Sequence, residues 1–233
     1  MAKGAALPKH VLLSELLIRE IAAGHLEEGS RLPPERVLAQ KLGVAVGTLR
    51  RALGELERQG LLKRIQGSGN YIQHRQKVES VYAFLRLELA EGGGLPHADT
   101  LEVLTLNKPA NAPDFGPSRK AHRIRRLRRL GEAAVALEEV WLDGQFRWTL
   151  RAADLGPSLY LTYREQLGLT ISRTEDRVGV ALTPDWAPAE YPAPPGTPAG
   201  FIERIAEDIN GYPVEYSRTW FDAERARYTV RQD

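Results

Sequence analysis

The 233-residue chain contains no cysteine. That absence excludes a disulfide framework, a thiolate nucleophile and a cysteine-ligated zinc. The five histidines, His10, His25, His74, His97 and His122, never recur at the i, i+4 spacing that sets two imidazoles on one helix face. No cofactor and no metal site are expected. No apolar run reaches the roughly 20 residues of a membrane-spanning helix, and residues 1–10 (MAKGAALPKH) lack the apolar core and cleavage pattern of a signal peptide. The expected location is therefore cytoplasmic, without a membrane partner.

The length allows two modest domains, each with its own core. The net charge of +2 is uninformative as a sum, but residues 1–75 hold twelve Lys and Arg against seven Asp and Glu, leaving the remainder at −3. A basic N-terminal part favours a polyanionic partner there.

Three helices are expected in that part. VLLSELLIREIAAG places Leu12, Leu16, Ile18, Ile21 and Ala22 on an amphipathic helix ending near Gly24. LPPERVLAQKLG has prolines where a helix start tolerates them and Gly43 where a helix stop does, giving a short second helix. In LGVAVGTLRRALGELERQG, Leu49, Ala52, Leu53 and Leu56 recur at i, i+3, i+4 and i+7, although Gly47 and Gly54 each cost the helix about 1 kcal/mol relative to alanine. The tight turn at Gly43 makes the last two a helix-turn-helix. LLKRIQGSGNYI then reads as two strands, Leu61–Ile65 and Asn70–Gln73, about a turn at Gln66–Gly69, which is a wing.

The run RLPPERVLAQKLGVAVGTLRRALGELERQGLLKRIQGSGNYI resembles the winged helix-turn-helix of the GntR superfamily of bacterial repressors over about residues 7–73. The resemblance implies that Arg36 and Arg50 contact operator DNA, that Thr48 holds a phosphate, and that Gly67 marks a wing tip entering the minor groove. Arg50 lies opposite the apolar face and can reach a base edge or a phosphate, and a bare Gly47 allows close approach to DNA. Arg51 is a further candidate contact. Ala45-Val46 stands where many members carry Ser/Thr-Arg, so a helix cap and a base-reading arginine of the usual pattern are replaced.

A polar segment, HRQKVE (74–79), reads as a linker, which sets expected domains at 1–73 and 80–233. Beyond it the period falls to about 2, with strand-like runs at YAFLRLEL, LEVLTLNKP, AHRIRRLRRL, AVALEEVWL, ISRTEDRVGVAL, GFIERIAEDI and PVEYSRTWF, and one helix, SLYLTYREQLG. Asn210-Gly211 is a two-residue hairpin signal. If 120–130 and 134–143 pair about Gly131, Arg126, Arg128 and Glu138 share a face with Ile124, Leu130, Ala136, Val140 and Leu142, and charges among apolar neighbours need partners. Arg125 and Arg129 are expected to face solvent.

The order of these segments resembles the effector-binding domain of the HutC subfamily, whose fold is like chorismate lyase. The expected architecture is α+β, a winged helix followed by an antiparallel sheet. The resemblance implies an effector pocket at Arg126, Arg128, Glu138, Ser158, Tyr160 and Glu215, with Phe221 replacing a family tyrosine. Ser158 at a helix start also suits an anion, since free backbone N–H groups point at it. The expected protein is a homodimeric regulator, most simply a repressor, that binds an inverted-repeat operator in double-stranded DNA and answers to a small anionic metabolite such as a sugar phosphate, amino acid or carboxylic acid. Two alternatives remain at this stage: an enzyme built on the lyase-like fold, and a constitutive DNA-binding protein whose second domain only dimerises. Against the enzyme, no Ser-His-Asp constellation or histidine cluster can be placed at that pocket.

Overall fold

The computed structural model describes residues 7–73, 80–147 and 149–231, and the expected linker at 74–79 lies outside them. Two compact units divide the chain at 95/96, with residues from 228 onward belonging to the first.

The first unit opens with helices α1 (Lys9–Ala22), α2 (Glu35–Lys41) and α3 (Val46–Arg58) and the hairpin β1 (Leu62–Ile65) and β2 (Gly69–Ile72). Leu49, Ala52, Leu53 and Leu56 of α3 are fully buried, as their spacing requires, against Leu13, Leu17, Ile18 and Ile21 of α1 and Leu38 and Ala39 of α2. Each fully buried leucine contributes roughly 1.5–3 kcal/mol. The buried face of α1 differs from the expected one: Leu13 and Leu17 are covered, while Leu12 and Leu16 are only partly so and Ala22 is exposed. A second layer lies on α1. Its Glu15 accepts hydrogen bonds from Ser80 Oγ and the Val81 amide, and Arg19 donates to the carbonyls of Leu87 and Gly94, so residues 80–94 cover the helix from another side.

That docking changes the reading of YAFLRLEL. Residues 80–85 form turns, closed by Ala83 N–H to the Ser80 carbonyl and Leu85 N–H to the Tyr82 carbonyl, and only β3 (Leu87–Leu89) is a strand. The chain's last described residue, Arg231, clamps Glu88 with both terminal nitrogens, at 2.7 and 2.9 Å.

The second unit is a six-stranded antiparallel sheet in the order β4-β5-β6-β9-β8-β7. Its strands are β4 (Pro96–Asn107), β5 (Lys120–Leu130), β6 (Ala133–Asp143), β7 (Ile171–Leu182), β8 (Pro198–Asp208) and β9 (Pro213–Phe221). Gly131, in the left-handed region at φ 57°, closes the β5–β6 hairpin where expected, and Arg126 lies directly across from Glu138. The β8–β9 connection is longer than a two-residue turn. Asp208 N–H donates to the Tyr212 carbonyl, and the Asp208 carboxylate accepts from the amides of Asn210 and Tyr212. Gly211 alone takes positive φ, because Asp208 stabilises a four-residue loop in which asparagine keeps an ordinary conformation.

The helix at 158–168 is one α turn, α4 (Leu159–Thr162), continuing as a π turn over Tyr163–Leu167 and stopped by Gly168 at φ 65°. It brings Tyr160 and Tyr163 to the sheet face that carries Arg126 and Glu215.

Candidate DNA interface and effector site

In the first unit, α2 and α3 present Arg36, Arg50, Arg51 and Gly47 to solvent, with Thr48 half-buried in the first turn of α3. No side chain caps α3 at Ala45, which leaves the first-turn amide positions without the usual Ser or Thr partner. Arg50 is held by Glu35 of α2, Nε to carboxylate at 2.6 Å, and Arg64 of β1 lies 4.0 Å from the same carboxylate. The Arg50 hydrogen bond keeps the Glu35 carboxyl below its ordinary range. The arrangement fixes Arg50 while leaving its side chain 65% exposed. Arg58, by contrast, folds back on Glu55 of its own helix.

Three glycines on this surface are there for different reasons. A methyl group at Gly47 would meet nothing within 4 Å, so internal packing does not require glycine there. Gly67 at the wing tip has φ +75°, a conformation that side chains resist, and Gly69 packs against Arg31 so closely that a Cβ would lie 2.9 Å from its Nε.

In the second unit, Arg126 and Arg128 converge on one carboxylate. Arg126 donates to Glu138 through Nε at 3.0 Å and Nη2 at 2.6 Å, and Arg128 through Nε at 2.7 Å and Nη2 at 2.9 Å. Burial by itself would raise the Glu138 carboxyl, but the two guanidinium charges and their hydrogen bonds hold it down at about 2. One acceptor group serves two cations, and the Nη1 of each arginine is buried with no hydrogen-bond partner. The two arginines are only 3% and 5% exposed. A buried donor left unmade costs roughly 1–3 kcal/mol, more when charged.

Next along the same face, Glu215 of β9 accepts from Tyr160 at 3.0 Å and from Tyr163 at 2.7 Å. Burial raises its carboxyl despite these donors and despite the charges of Arg204 and Arg126. Both tyrosine hydroxyls are pushed well above their usual range, first by burial and then by the neighbouring Glu215. Arg204 of β8 is itself clamped by Asp176 of β7 at 2.5 and 2.6 Å.

The structure thus gathers Arg126, Arg128, Glu138, Tyr160 and Glu215 on one sheet face. Ser158 caps α4, accepting from the Leu161 amide at 3.3 Å, so one of the backbone N–H groups at that helix start is already used. Phe221 covers Gly200, where any Cβ would overlap its ring. Arg125 and Arg129 do not project freely. Arg125 lies on the opposite face, paired with Glu139 at 2.9 Å and stacked on Trp186, and Arg129 pairs with Asp99 at 3.1 Å.

Comparison with known proteins decides the family. Residues 107–227 match the UTRA domain and residues 13–72 match the bacterial regulatory proteins of the gntR family. The chain is 49% identical over 228 residues to the HTH-type transcriptional regulator SmoD of Agrobacterium fabrum, covering 98% of this chain and 97% of that one. This chain belongs to the GntR family.

Within that family it falls in the HutC branch, whose members couple the helix-turn-helix to a UTRA effector domain. It is 25% identical over 232 residues to the mannosyl-D-glycerate transport/metabolism system repressor MngR of Escherichia coli, covering 96% of this chain and 95% of that one. The fold is that of the possible transcriptional regulator YydK from Bacillus subtilis, with TM-score 0.56 at 20% identity over 97% of this chain and all of that one. The chain is accordingly a transcriptional regulator of the GntR family. Among its described residues no helix is long and apolar enough to cross a membrane.

Three polar members of the effector-domain face escaped the sequence reading: Tyr163, Arg204 and Asp176. Tyr163 had a signal, since it lies one helical turn from Tyr160. Arg204 and Asp176 had none, because their meeting depends on the β7–β8 register.

Proposed function

We propose that this GntR-family protein is a repressor that binds an inverted-repeat operator as a homodimer and is controlled by a small anionic metabolite held at Arg126 and Arg128. The observation that carries the effector reading is the pair of buried, unpartnered Nη1 groups on two arginines that share one carboxylate. An oxyanion supplies acceptors for both, and the Tyr160–Glu215–Tyr163 group on the same face suits the hydroxyl or amino groups of the rest of a metabolite. For control, the metabolite must bind the DNA-competent and DNA-incompetent states unequally.

On the DNA side, Arg36, Arg50, Thr48 and the wing tip at Gly67 are the proposed contacts, with Gly47 admitting the duplex closely and Arg51 at the flank. Glu35 holds Arg50 in position until a base edge or phosphate replaces it.

A second reading has one observation in its favour. The four hydrogen bonds between Glu138 and the two arginines would also serve a purely structural ladder in a constitutive DNA-binding protein. A thermal-shift screen against sugar phosphates, amino acids and small carboxylic acids separates the two. The sensor reading expects an anion that stabilises the protein without being turned over and alters operator affinity. Arg128→Ala should then weaken that anion by one to two orders of magnitude, the loss of a charge-assisted hydrogen bond being worth roughly 1.5–3 kcal/mol, while operator binding persists. Turnover would reveal an enzyme. A response unchanged in Arg126→Ala and Arg128→Ala would remove the pocket assignment.

A further inference from the structure

The two outer strands of the effector-domain sheet are protected differently. β4 carries His97, Asp99 and Glu102 and is broken by a bulge between Thr100 and Glu102. The first half of β7 is guarded in the same way, by a bulge between Ile171 and Arg173 and by Arg173, Glu175, Asp176 and Arg177. Its second half, Val178-Gly179-Val180-Ala181-Leu182, has no charge and no bulge, and it pairs regularly with β8 on its inner side only. Val178, Val180 and Leu182 are 54%, 75% and 62% exposed. A long apolar edge of this kind is a template for another strand.

We infer that the apolar half of β7 pairs antiparallel with the same segment of a second copy of this chain, about a two-fold axis at Val180. The occupant is set by self-complementarity. A two-fold axis normal to the sheet keeps each side chain on its own face, so directly opposed residues must share the same alternation along the strand. Centring on Asp176 sets two carboxylates face to face, and centring on Arg177 sets two guanidiniums face to face. Centring on Val178 places Val180 against the ion-paired Asp176. Centring on Gly179 still places Leu182 against Asp176, whereas centring on Val180 opposes Val180 to itself, Val178 to Leu182 twice and Gly179 to Ala181 twice, with no like charges across the seam. The Glu175–Arg177 ion pair then stays within one chain, at 3.0 Å. This rests on the dimeric reading given above and adds to it the edge that joins the subunits.

The chain's lack of cysteine makes the test direct. Val180 is 75% exposed, so Val180→Cys introduces the sole thiol at a position that the fold does not pack. Directly opposed strand residues have Cα atoms about 4.5–5.5 Å apart, within the range a disulfide spans. Mild oxidation of the full-length Val180→Cys protein should give a covalent dimer that reductant reverses, whereas Leu104→Cys on β4, 41% exposed, should not. Val180→Lys, at a solvent-facing position, should keep its circular dichroism spectrum and raise the dimer dissociation constant at least about tenfold in sedimentation equilibrium. A dimer that survives Val180→Lys, or that cross-links through Leu104→Cys and not Val180→Cys, overturns this interface while leaving a dimeric regulator intact. An unmodified chain that sediments as a monomer overturns both.

Discussion

On α3, Arg50 donates to Glu35 with its side chain 65% exposed, whereas on β5 Arg126 and Arg128 donate to Glu138 with side chains 3% and 6% exposed. The chemistry is the same and the surroundings are opposite. An exposed pair is worth about 0–1 kcal/mol, because water and salt compete with it, so DNA can exchange the carboxylate for a phosphate or base edge at little cost. A buried pair has no water to fall back on. Removing either partner strands the other, and whatever satisfies the remaining donors must be built in or brought by a ligand. In the proposed function, the arginine that changes partners is the one at the surface, and the two that define a charged site are the ones inside.

The largest test of that contrast is Glu138→Ala. It leaves two uncompensated buried guanidiniums and should cost roughly 3–5 kcal/mol of stability, against less than about 1 kcal/mol for Glu35→Ala. Urea denaturation of the two variants side by side measures the gap. Equal midpoints would mean that the Glu138 ladder is as well solvated as the surface pair. The pH dependence has a definite sign. Glu138 is held at about 2, below the ordinary carboxyl value of 4.5, so its stabilising contribution is complete above about pH 4.5 and is lost as the pH falls through 2. Wild type and Glu138→Gln should therefore converge in stability on the acid side of that window.

The two regions also differed in how much could be read from residues alone. The winged helix was legible because its signals are local: leucines at helical spacing, prolines and glycines at helix ends, glycines around a wing. The meeting of Arg126 with Glu138 was legible for the same reason, since one short hairpin about Gly131 sets their register. Arg204 and Asp176 were not, because alternation names a face without naming the neighbour across the strand. The buried face of α1 was misread because Leu13 and Leu17 recur at the same spacing as Leu12 and Leu16, and a helix that is apolar on both sides does not say which side meets α2 and α3. Asn210-Gly211 overstated its turn for a smaller reason: Asp208, two residues earlier, captured the loop amides.

Sharpening the surface half of the comparison calls for substitutions that spare the fold. Arg50→Ala or Arg36→Ala should weaken specific operator binding by roughly 1–3 kcal/mol for a base contact, and less for a phosphate contact. Stability should move by no more than about 0.5 kcal/mol, as expected of exposed positions. Fluorescence anisotropy on an operator duplex at fixed salt, paired with denaturation, reads both. Unchanged affinity in the two variants would remove α2 and α3 from the interface. Gly67→Val should cost about 1–2 kcal/mol locally, since valine resists a φ of +75°, and should impair operator binding while anion binding at the second unit continues. Full operator affinity in Gly67→Val would mean that the wing does not enter the groove.

The smallest expected effect is the most discriminating about purpose. Glycine inside a helix is a liability of about 1 kcal/mol relative to alanine, and Gly47 occupies the second helical position of α3 with nothing inside the protein crowding its missing side chain. If glycine is kept there only by chance, Gly47→Ala should raise stability by up to about 1 kcal/mol and leave operator affinity alone. If it is kept because the DNA backbone comes within contact distance of α3, the same methyl should stabilise the free protein and weaken the complex. The two measurements then move in opposite directions in one variant. A gain in stability with unchanged operator affinity would place the duplex farther from the start of α3 than the proposed docking allows, whereas the opposing pair of shifts would locate the closest approach at this residue.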